Sequence, residues 1–313
     1  MMFSLARLIS KSAGSTVAGE AKHVPSKLSL MARAMSSQVT YEFETLNVTS
    51  PEEYVKHVEL NRPKKMNAMN TAFWTEMIDC FNKLAVDPEC RVVILSGAGK
   101  MFTAGLDFSD NEFFKTLMEG DEVSRKAFIF RRGIPMMQES FSVLERCNKP
   151  VITAMHQGCI GAGVDMSAAA DIRYCTDDAW FQIKEIELGL AADLGTLQRF
   201  PKIIGNDSLC RELVYTARKF TAEEAKDMGF VSRIFPDKEA MMAATVELAQ
   251  TIASKSPVAI QGSKINMVYS RDHSVPEGLE YMATYNSAML QSEDTMKAVM
   301  GLMTKETPVF AKL

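Results

Sequence analysis

Residues 158–199 read GCIGAGVDMSAAADIRYCTDDAWFQIKEIELGLAADLGTLQR. They open on small residues, Gly158 to Gly163, where two backbones can approach closely or an amide can face a ligand. An Ala-rich helical segment follows, then a strand-like run at Ile172–Cys175 and a second at Trp180–Ile186. Three carboxylates punctuate the stretch: Asp165, Glu185 and Asp193, each among apolar or small neighbours. A carboxylate in such surroundings either finds a partner or has its pKa pushed up, and a raised pKa suits proton transfer near neutral pH. Singly, Asp165 reads as a helix cap and Glu185 as an exposed strand residue. The three together, beside a glycine-rich turn, point to a site.

Upstream, Val55–Leu60 alternates as a strand does and ends in Asn61-Arg-Pro63, a turn signal. Asn67-Ala-Met-Asn70 caps a helix whose Phe73, Met77, Ile78, Phe81 and Leu84 share one face. Arg91–Ser96 and Val151–Met155 are short apolar runs suited to buried strands. Between them, residues 121–147 carry a helical pattern (Phe128, Ile134, Met137, Phe141, Leu144) that Lys149-Pro150 breaks. Strand, helix, strand, helix, strand predicts an α/β fold of layered sheets and helices. Downstream the chain turns helical. Helices are expected at 208–216, from Thr221 to Gly229, at 238–254, from Ser256-Pro257 to about 269, and once or twice over the Met-rich 275–304. A short strand is expected at Val231–Phe235.

The 313 residues are long enough to bury a large core, and 47% hydrophobic with 24% charged residues is ordinary for a globular chain. A net charge of −4 gives no reason to expect nucleic acid. Six cysteines without a CxxC pair suit free, buried thiols in a reducing compartment, and the four histidines lack metal-ligand spacing. No apolar run reaches transmembrane length. Residues 1–37 hold Arg7, Lys11, Lys22, Lys27 and Arg33 against one acid, Glu20, and are rich in Ser and Ala. That is the composition of a mitochondrial transit peptide, and its expected state on the folded protein is disorder. The chain closes on Ala311-Lys-Leu313, similar to the Ser-Lys-Leu peroxisomal address. The two addresses together predict the mitochondrial matrix and the peroxisome.

Two glycine-containing turns carry the chemistry: Phe102-Thr-Ala-Gly-Leu-Asp107, and Cys159-Ile-Gly-Ala-Gly163 just before a helix. A helix start presents unpaired N–H groups and the positive end of the dipole. One amide from each turn could hold a developing enolate oxygen. Gly-Ala-Gly here lacks the full dinucleotide-binding spacing, and there is no P-loop, no nucleophile elbow and no locally supported Ser-His-Asp set.

Leu60-Asn-Arg-Pro-Lys-Lys-Met-Asn-Ala-Met69 resembles the opening signature of the enoyl-CoA hydratase/isomerase (crotonase) superfamily, and the two turns resemble its oxyanion-hole turns. The resemblance spans roughly residues 50–270, with the motifs in the family's order. It implies a crotonase-like spiral of ββα units over 38–248 and a helical C-terminal trimerisation region over 249–313. It also implies an acyl-CoA thioester as substrate, no cofactor or metal, no nucleic-acid partner, no membrane span, and a homohexamer built as a dimer of trimers. Carried over, the oxyanion donors are the N–H groups of Leu106 and Ala162, with Ala104, Gly105, Asp107 and Phe108 completing the substrate-binding turn. The family commonly has Gly where Ala162 stands, and Ala supplies the same N–H.

The acids select among members. The family's hydratases carry glutamates at the positions of Asp165 and Glu185 and a Gly-rich turn at 191–195, where this chain has Ala-Ala-Asp-Leu-Gly. Lys184–Asp193, Ile172–Cys175, Lys255–Ala259 and Tyr269–Ser274 are instead similar to the family's dienoyl-CoA isomerases. The resemblance implies conversion of 3,5-dienoyl-CoA to 2,4-dienoyl-CoA in β-oxidation of unsaturated fatty acids. Asp193 is then the base at C2, Glu185 the acid at C6, and Asp165 a supporting residue. Glu187, two residues beyond Glu185 on the expected strand, shares its face and stands as a rival. The alternatives are an enoyl-CoA hydratase, or a non-catalytic acyl-CoA- or RNA-binding member.

Overall fold

A computed structural model describes residues 39–110, 115, 116 and 122–313. The expected presequence, 1–37, lies outside the described residues. A hairpin opens the fold: β1 (Leu46–Glu52) runs antiparallel to β2 (Val55–Leu60). Four parallel strands extend it, β3 (Val92–Gly97), β4 (Val151–Met155), β6 (Ile172–Thr176) and β9 (Arg233–Phe235), giving the order β1-β2-β3-β4-β6-β9. A second sheet holds β5 (Gly158–Ile160), β7 (Trp180–Gln182) and β8 (Phe220–Thr221). The chain crosses from the large sheet to the small one at β4–β5 and again at β6–β7, and each crossing is followed by a helical turn. That repeat is a spiral of ββα units.

Both faces of the large sheet are covered, which is why β3 and β4 are apolar along their whole length and buried at every position. On one face lies α7 (Lys238–Ala253), whose Ala249 and Ala253 pack on Val55, Val92, Ile94 and Ile152. On the other lie α1 (Thr71–Val86) and the second half of α2 (Val123–Arg146), where Trp74 meets Phe73 and Phe141 at centroid distances of 5.3 and 5.8 Å. Asn70 caps α1, its side chain accepting the Phe73 N–H at 3.2 Å. Phe181, Phe200, Phe220 and Phe230 form an aromatic core under the small sheet.

The C-terminal part is α8 (Pro257–Ser270), α9 (Val275–Met289) and α10 (Glu293–Thr304). Lys264 of α8 is buried; its ammonium donates to the Leu144 and Lys149 carbonyls at 2.7 and 2.9 Å and pairs with Asp171 at 2.8 Å. The tail returns to the body, where Arg91 donates to the Phe310 carbonyl at 2.8 Å and Lys312 pairs with Glu89. All six cysteines are free and buried, and burial pushes the Cys159 thiol up to about 12.

Several expectations need correction. The run at Trp180–Ile186 stops being a strand at Gln182, and Glu185–Leu188 is a single 3-10 turn closed by Gly189 in the left-handed region. Gly158–Ile160, expected as a turn, is a strand that parallels β7. On α1 the buried face takes in Trp74 and Cys80, whereas Ile78 is half-exposed. Phe128 of α2 is exposed, as are Val123 and Ile129, so only the second half of that helix packs on the core.

Candidate active site

The site forms where two backbone segments part company. Past β3, Thr103 pairs with Cys159 of β5, its N–H donating to the Gly158 carbonyl at 3.1 Å and its carbonyl accepting from Ile160 at 3.2 Å. Beyond this bridge both chains turn at glycine. Gly105 has φ +84°, and a Cβ there would stand 2.8 Å from the Ile160 carbonyl oxygen; Gly161 has φ +52° and starts α3 (Ala162–Ala168). Met69 takes up one edge of the first turn, donating to the Gly105 carbonyl at 2.7 Å and accepting from the Asp107 N–H at 2.9 Å. This alternation leaves the Leu106 N–H on the edge away from Met69, and a Cβ on the preceding Gly105 would stand 3.9 Å from the Ala162 nitrogen. The Ala162 N–H is the first of α3 and has no acceptor inside the helix. Two backbone donors on neighbouring turns can polarise a carbonyl placed between them.

The Leu60–Met69 segment holds the first turn rigid. Asn67, itself at φ +54°, donates its side-chain amide to the carbonyls of Ala98, Met101 and Phe102 at 2.7, 3.0 and 3.1 Å. Arg62 pairs with Asp107 at 2.9 Å and donates to the Ala68 carbonyl. Burial disfavours the Asp107 charge, yet hydrogen bonds from Ser109 and Arg62 hold its carboxyl down at about 2. The Asp107 side chain therefore braces the turn. Ala104 is tied by its N–H to the Met66 carbonyl at 2.9 Å, and Phe108 is exposed. The sequence pattern marks Arg62 and Asn67 as parts of a turn, a capping segment and a signature; the bonds by which they brace Asp107, Ala98, Met101 and Phe102 cross 31 to 45 residues and leave no local trace.

The structure brings the three carboxylates of the central stretch together. Asp165, on α3, is 1% exposed and accepts the Thr196 N–H at 2.7 Å. Burial pushes it up to about 6; the Thr196 bond and Arg199 oppose that rise, and the nearby Asp193 adds to it. Glu185, on the 3-10 turn, lies against Gly161, where a Cβ would stand 3.1 Å from its Oε1. Its Oε2 is buried and has no hydrogen-bond partner among the described residues. Burial, then the charges of Asp165 and Asp193, push Glu185 up to about 7. Asp193 is the most open of the three, and partial burial raises its carboxyl as well. Its backbone is fixed by Gln138 of α2, which donates to the Asp193 carbonyl at 2.7 Å. Next to it Arg199 joins Ser142 and Glu145, both at 3.0 Å.

Glu187 separates from this group. On a strand it would share Glu185's face, but on a 3-10 turn residues two apart diverge by a third of a turn. Glu187 is exposed and pairs with Lys184 at 2.6 Å. Among the described residues no group of three or more His, Cys, Asp or Glu side chains is arranged to hold a metal ion.

The family model "Enoyl-CoA hydratase/isomerase" matches residues 51–312. The chain is 56% identical over 266 residues to the mitochondrial Δ(3,5)-Δ(2,4)-dienoyl-CoA isomerase of Rattus norvegicus, covering 85% of this chain and 81% of the relative. It is 44% identical over 280 residues to the peroxisomal Δ(3,5)-Δ(2,4)-dienoyl-CoA isomerase of Arabidopsis thaliana, covering 89% and 99%. Among solved structures, the enoyl-CoA hydratase of Bacillus anthracis superposes with a TM-score of 0.77 at 26% identity, covering 86% of this chain and 99% of the other.

Proposed function

The chain belongs to the enoyl-CoA hydratase/isomerase family and isomerises 3,5-dienoyl-CoA to 2,4-dienoyl-CoA, and we propose that it does so by moving one proton off C2 and another onto C6. The thioester oxygen lies between the N–H groups of Leu106 and Ala162, which stabilise negative charge as it develops there. That acidifies C2. Asp193, the most open carboxylate and so the one most readily ionised, takes the C2 proton, and the electron pair delocalises through the diene to the thioester oxygen. Glu185, protonated up to about 7, delivers its proton to C6 as the dienolate collapses to the 2,4-diene. The cycle leaves Asp193 protonated and Glu185 ionised, and exchange with water restores both. No redox step occurs and the chemistry requires no cofactor.

The observation that carries this reading is Glu185: a half-buried carboxyl with an unpaired oxygen, held protonated near neutral pH next to two other acids. Asp165 keeps it so. Its negative charge raises Glu185, and its bond to Thr196 fixes α3 to the start of α4 (Thr196–Ile204). The test is incubation with a 3,5-dienoyl-CoA, following the ultraviolet absorbance of the conjugated 2,4-product. Fast hydration of a 2-enoyl-CoA without dienoyl isomerisation would overturn it.

The relatives' names place this activity in mitochondria and peroxisomes, and both compartments are assigned to this chain. On the same reading, 249–313 joins three copies into a trimer, and two trimers make the homohexamer. In support, α9 and α10 expose Leu279, Met296, Leu302 and Met303, an apolar surface that a single copy leaves in water.

A further inference from the structure

We infer that Glu145 is a positioning residue for the isomerisation: it clamps Arg199 across the turn that carries Asp193. The inference rests on the reading above, which takes Asp193 as the base at C2. Residues 191–195 belong to no helix or strand, so ladder and helix bonds do not place Asp193. The side chains that reach this segment from elsewhere bond to its carbonyls. Gln138 holds that of Asp193 at 2.7 Å, and Arg199 Nη1 approaches that of Leu194 at 3.4 Å. The second bond is long, and the guanidinium acts mainly by its bulk. Gly195, at φ +134°, leaves the backbone bare beneath it, and a Cβ there would collide with Arg199 Nη1.

A side chain as long as arginine keeps one place only if its far end is anchored. Arg199 Nη2 donates to Ser142 Oγ and to Glu145 Oε2, both at 3.0 Å. Glu145 lies in the last turn of α2 with its side chain 11% exposed. Burial disfavours its charge, yet bonds from Arg271 and Arg199 hold its carboxyl below the ordinary carboxylate range. Its other oxygen, Oε1, accepts from Arg271, just past the end of α8. One buried carboxylate thus receives two arginines, one lying on the Asp193 turn and one from the C-terminal helices. Such a group holds firmly only while its charge is present, because removing one partner leaves the others buried and unpaired. The planar fork of Arg199 lets one group serve the turn and the clamp together, which a lysine ammonium cannot do. Stability alone would be served by the same bonds, and catalysis read apart from folding separates the two roles.

The test uses the full-length protein and 3,5-octadienoyl-CoA, with folding checked by circular dichroism and Tm. Glu145→Gln keeps the size of the side chain and removes the charge that anchors the guanidinium. A misplacement of about 1 Å at a reacting group costs on the order of 10²-fold, so kcat is expected to fall by about 10- to 100-fold. KM should stay within about twofold of wild type, because the N–H groups of Leu106 and Ala162 are untouched. In an Asp193→Asn background the base is already gone, and Glu145→Gln is expected to change kcat by less than about twofold more. Arg199→Lys can still pair with Glu145 but cannot also reach the turn, so it is expected to lose kcat as Glu145→Gln does, and it carries the test if Glu145→Gln does not fold. Arg271→Gln leaves the Arg199–Glu145 pair in place and is expected to lower Tm with kcat within about twofold of wild type. Three results each overturn the positioning role: wild-type kcat in a folded Glu145→Gln or Arg199→Lys enzyme, a Glu145→Gln loss that recurs in full on Asp193→Asn, or a kcat that follows Tm across all three variants. Wild-type turnover by Asp193→Asn alone overturns the reading of Asp193 as the base, so the two failures are distinct.

Discussion

Replacing Gly105 by Ala separates catalysis from binding at the paired turns. At φ +84° an L-residue is disfavoured by about 1–2 kcal/mol. The new Cβ would also stand 2.8 Å from the Ile160 carbonyl oxygen, against an ordinary contact of 3.4 Å or more. The neighbour is backbone, so the two turns must part by about 0.6 Å, the difference between those distances. Overpacking of this kind typically costs about 1–3 kcal/mol, which with the φ term gives roughly 2–5 kcal/mol. At about 2–4 °C per kcal/mol for a domain of this size, Tm should fall by roughly 5–15 °C.

The same displacement moves the Leu106 N–H relative to the Ala162 N–H. Loss of one oxyanion donor typically costs about 10²–10³-fold in kcat, and a misplacement of about 1 Å costs on the order of 10². A shift of about half that distance should lower kcat by roughly 10- to 100-fold. KM should change little, because most of the thioester's contacts are untouched. The assay is product absorbance at 25 °C, below the lowered Tm, with Tm read by scanning calorimetry. Gly133→Ala is the control: it lies in α2, a Cβ there meets nothing within 4 Å, and helix propensity predicts a gain of about 1 kcal/mol. A Gly105→Ala enzyme with the lowered Tm and a kcat within twofold of wild type would refute the hole as the source of catalysis.

Asp193→Asn and Glu185→Gln should each lose about 10²–10⁴-fold in rate, but only the first should abolish exchange of the C2 proton with deuterated solvent. Full C2 exchange in Asp193→Asn, read by mass spectrometry, would reverse the two roles. Asp165→Asn removes the charge that lifts Glu185, so the alkaline limb of the kcat–pH profile should move to lower pH; an unmoved limb means that burial alone sets it. Glu185 and Asp165 both have folded pKa values raised above the unfolded ones, so the stability they contribute is present at pH 4 and is lost as pH rises through about 6 and 7. Glu185→Gln should therefore be more stable than wild type at pH 8, by roughly 1–3 kcal/mol, and gain nothing at pH 4; denaturant melts at the two pH values decide. Lys264→Met strands the Asp171 carboxylate and two carbonyls that its ammonium now serves, and should lower stability by about 3–5 kcal/mol.

How far the sequence could be read depended on the reach of each interaction. Asn70 capping α1 and Thr221 capping α6 (Ala222–Asp227) are local, and residue types three apart announce them. Buried strands such as Val151–Met155 announce themselves by composition. The apolar spacing over Trp180–Ile186 fits a strand or a turn equally, so it does not place Glu185 on the 3-10 turn that Gly189 closes at φ +72°. The exposure of Phe128 leaves no mark in the sequence, because periodicity reports one face and not whether anything covers it. Asp165, Glu185 and Asp193 were legible as types in apolar company. Their convergence was not, since it depends on a spiral that returns the chain to the same place.

That convergence works against the fold's own stability. Burial raises all three acids; Asp193 adds to the rise of Asp165, and both add to that of Glu185. The surrounding bonds show how the fold contains the strain. Thr196 donates to Asp165, Arg199 opposes its rise, and Gln138 holds the Asp193 backbone from a different helix. Glu185 Oε2 receives no hydrogen bond among the described residues. Burial is the main reason a proton stays on this carboxyl near neutral pH, and the charges of Asp165 and Asp193 add to it, against backbone N–H groups that oppose the rise. A hydrogen-bond donor introduced near Oε2 would stabilise the carboxylate, so the protein would be more stable above pH 7 and less of Glu185 would carry a proton to deliver. The unpaired oxygen therefore fits a group that has to keep a proton, and on the proposed mechanism it is not a defect in packing.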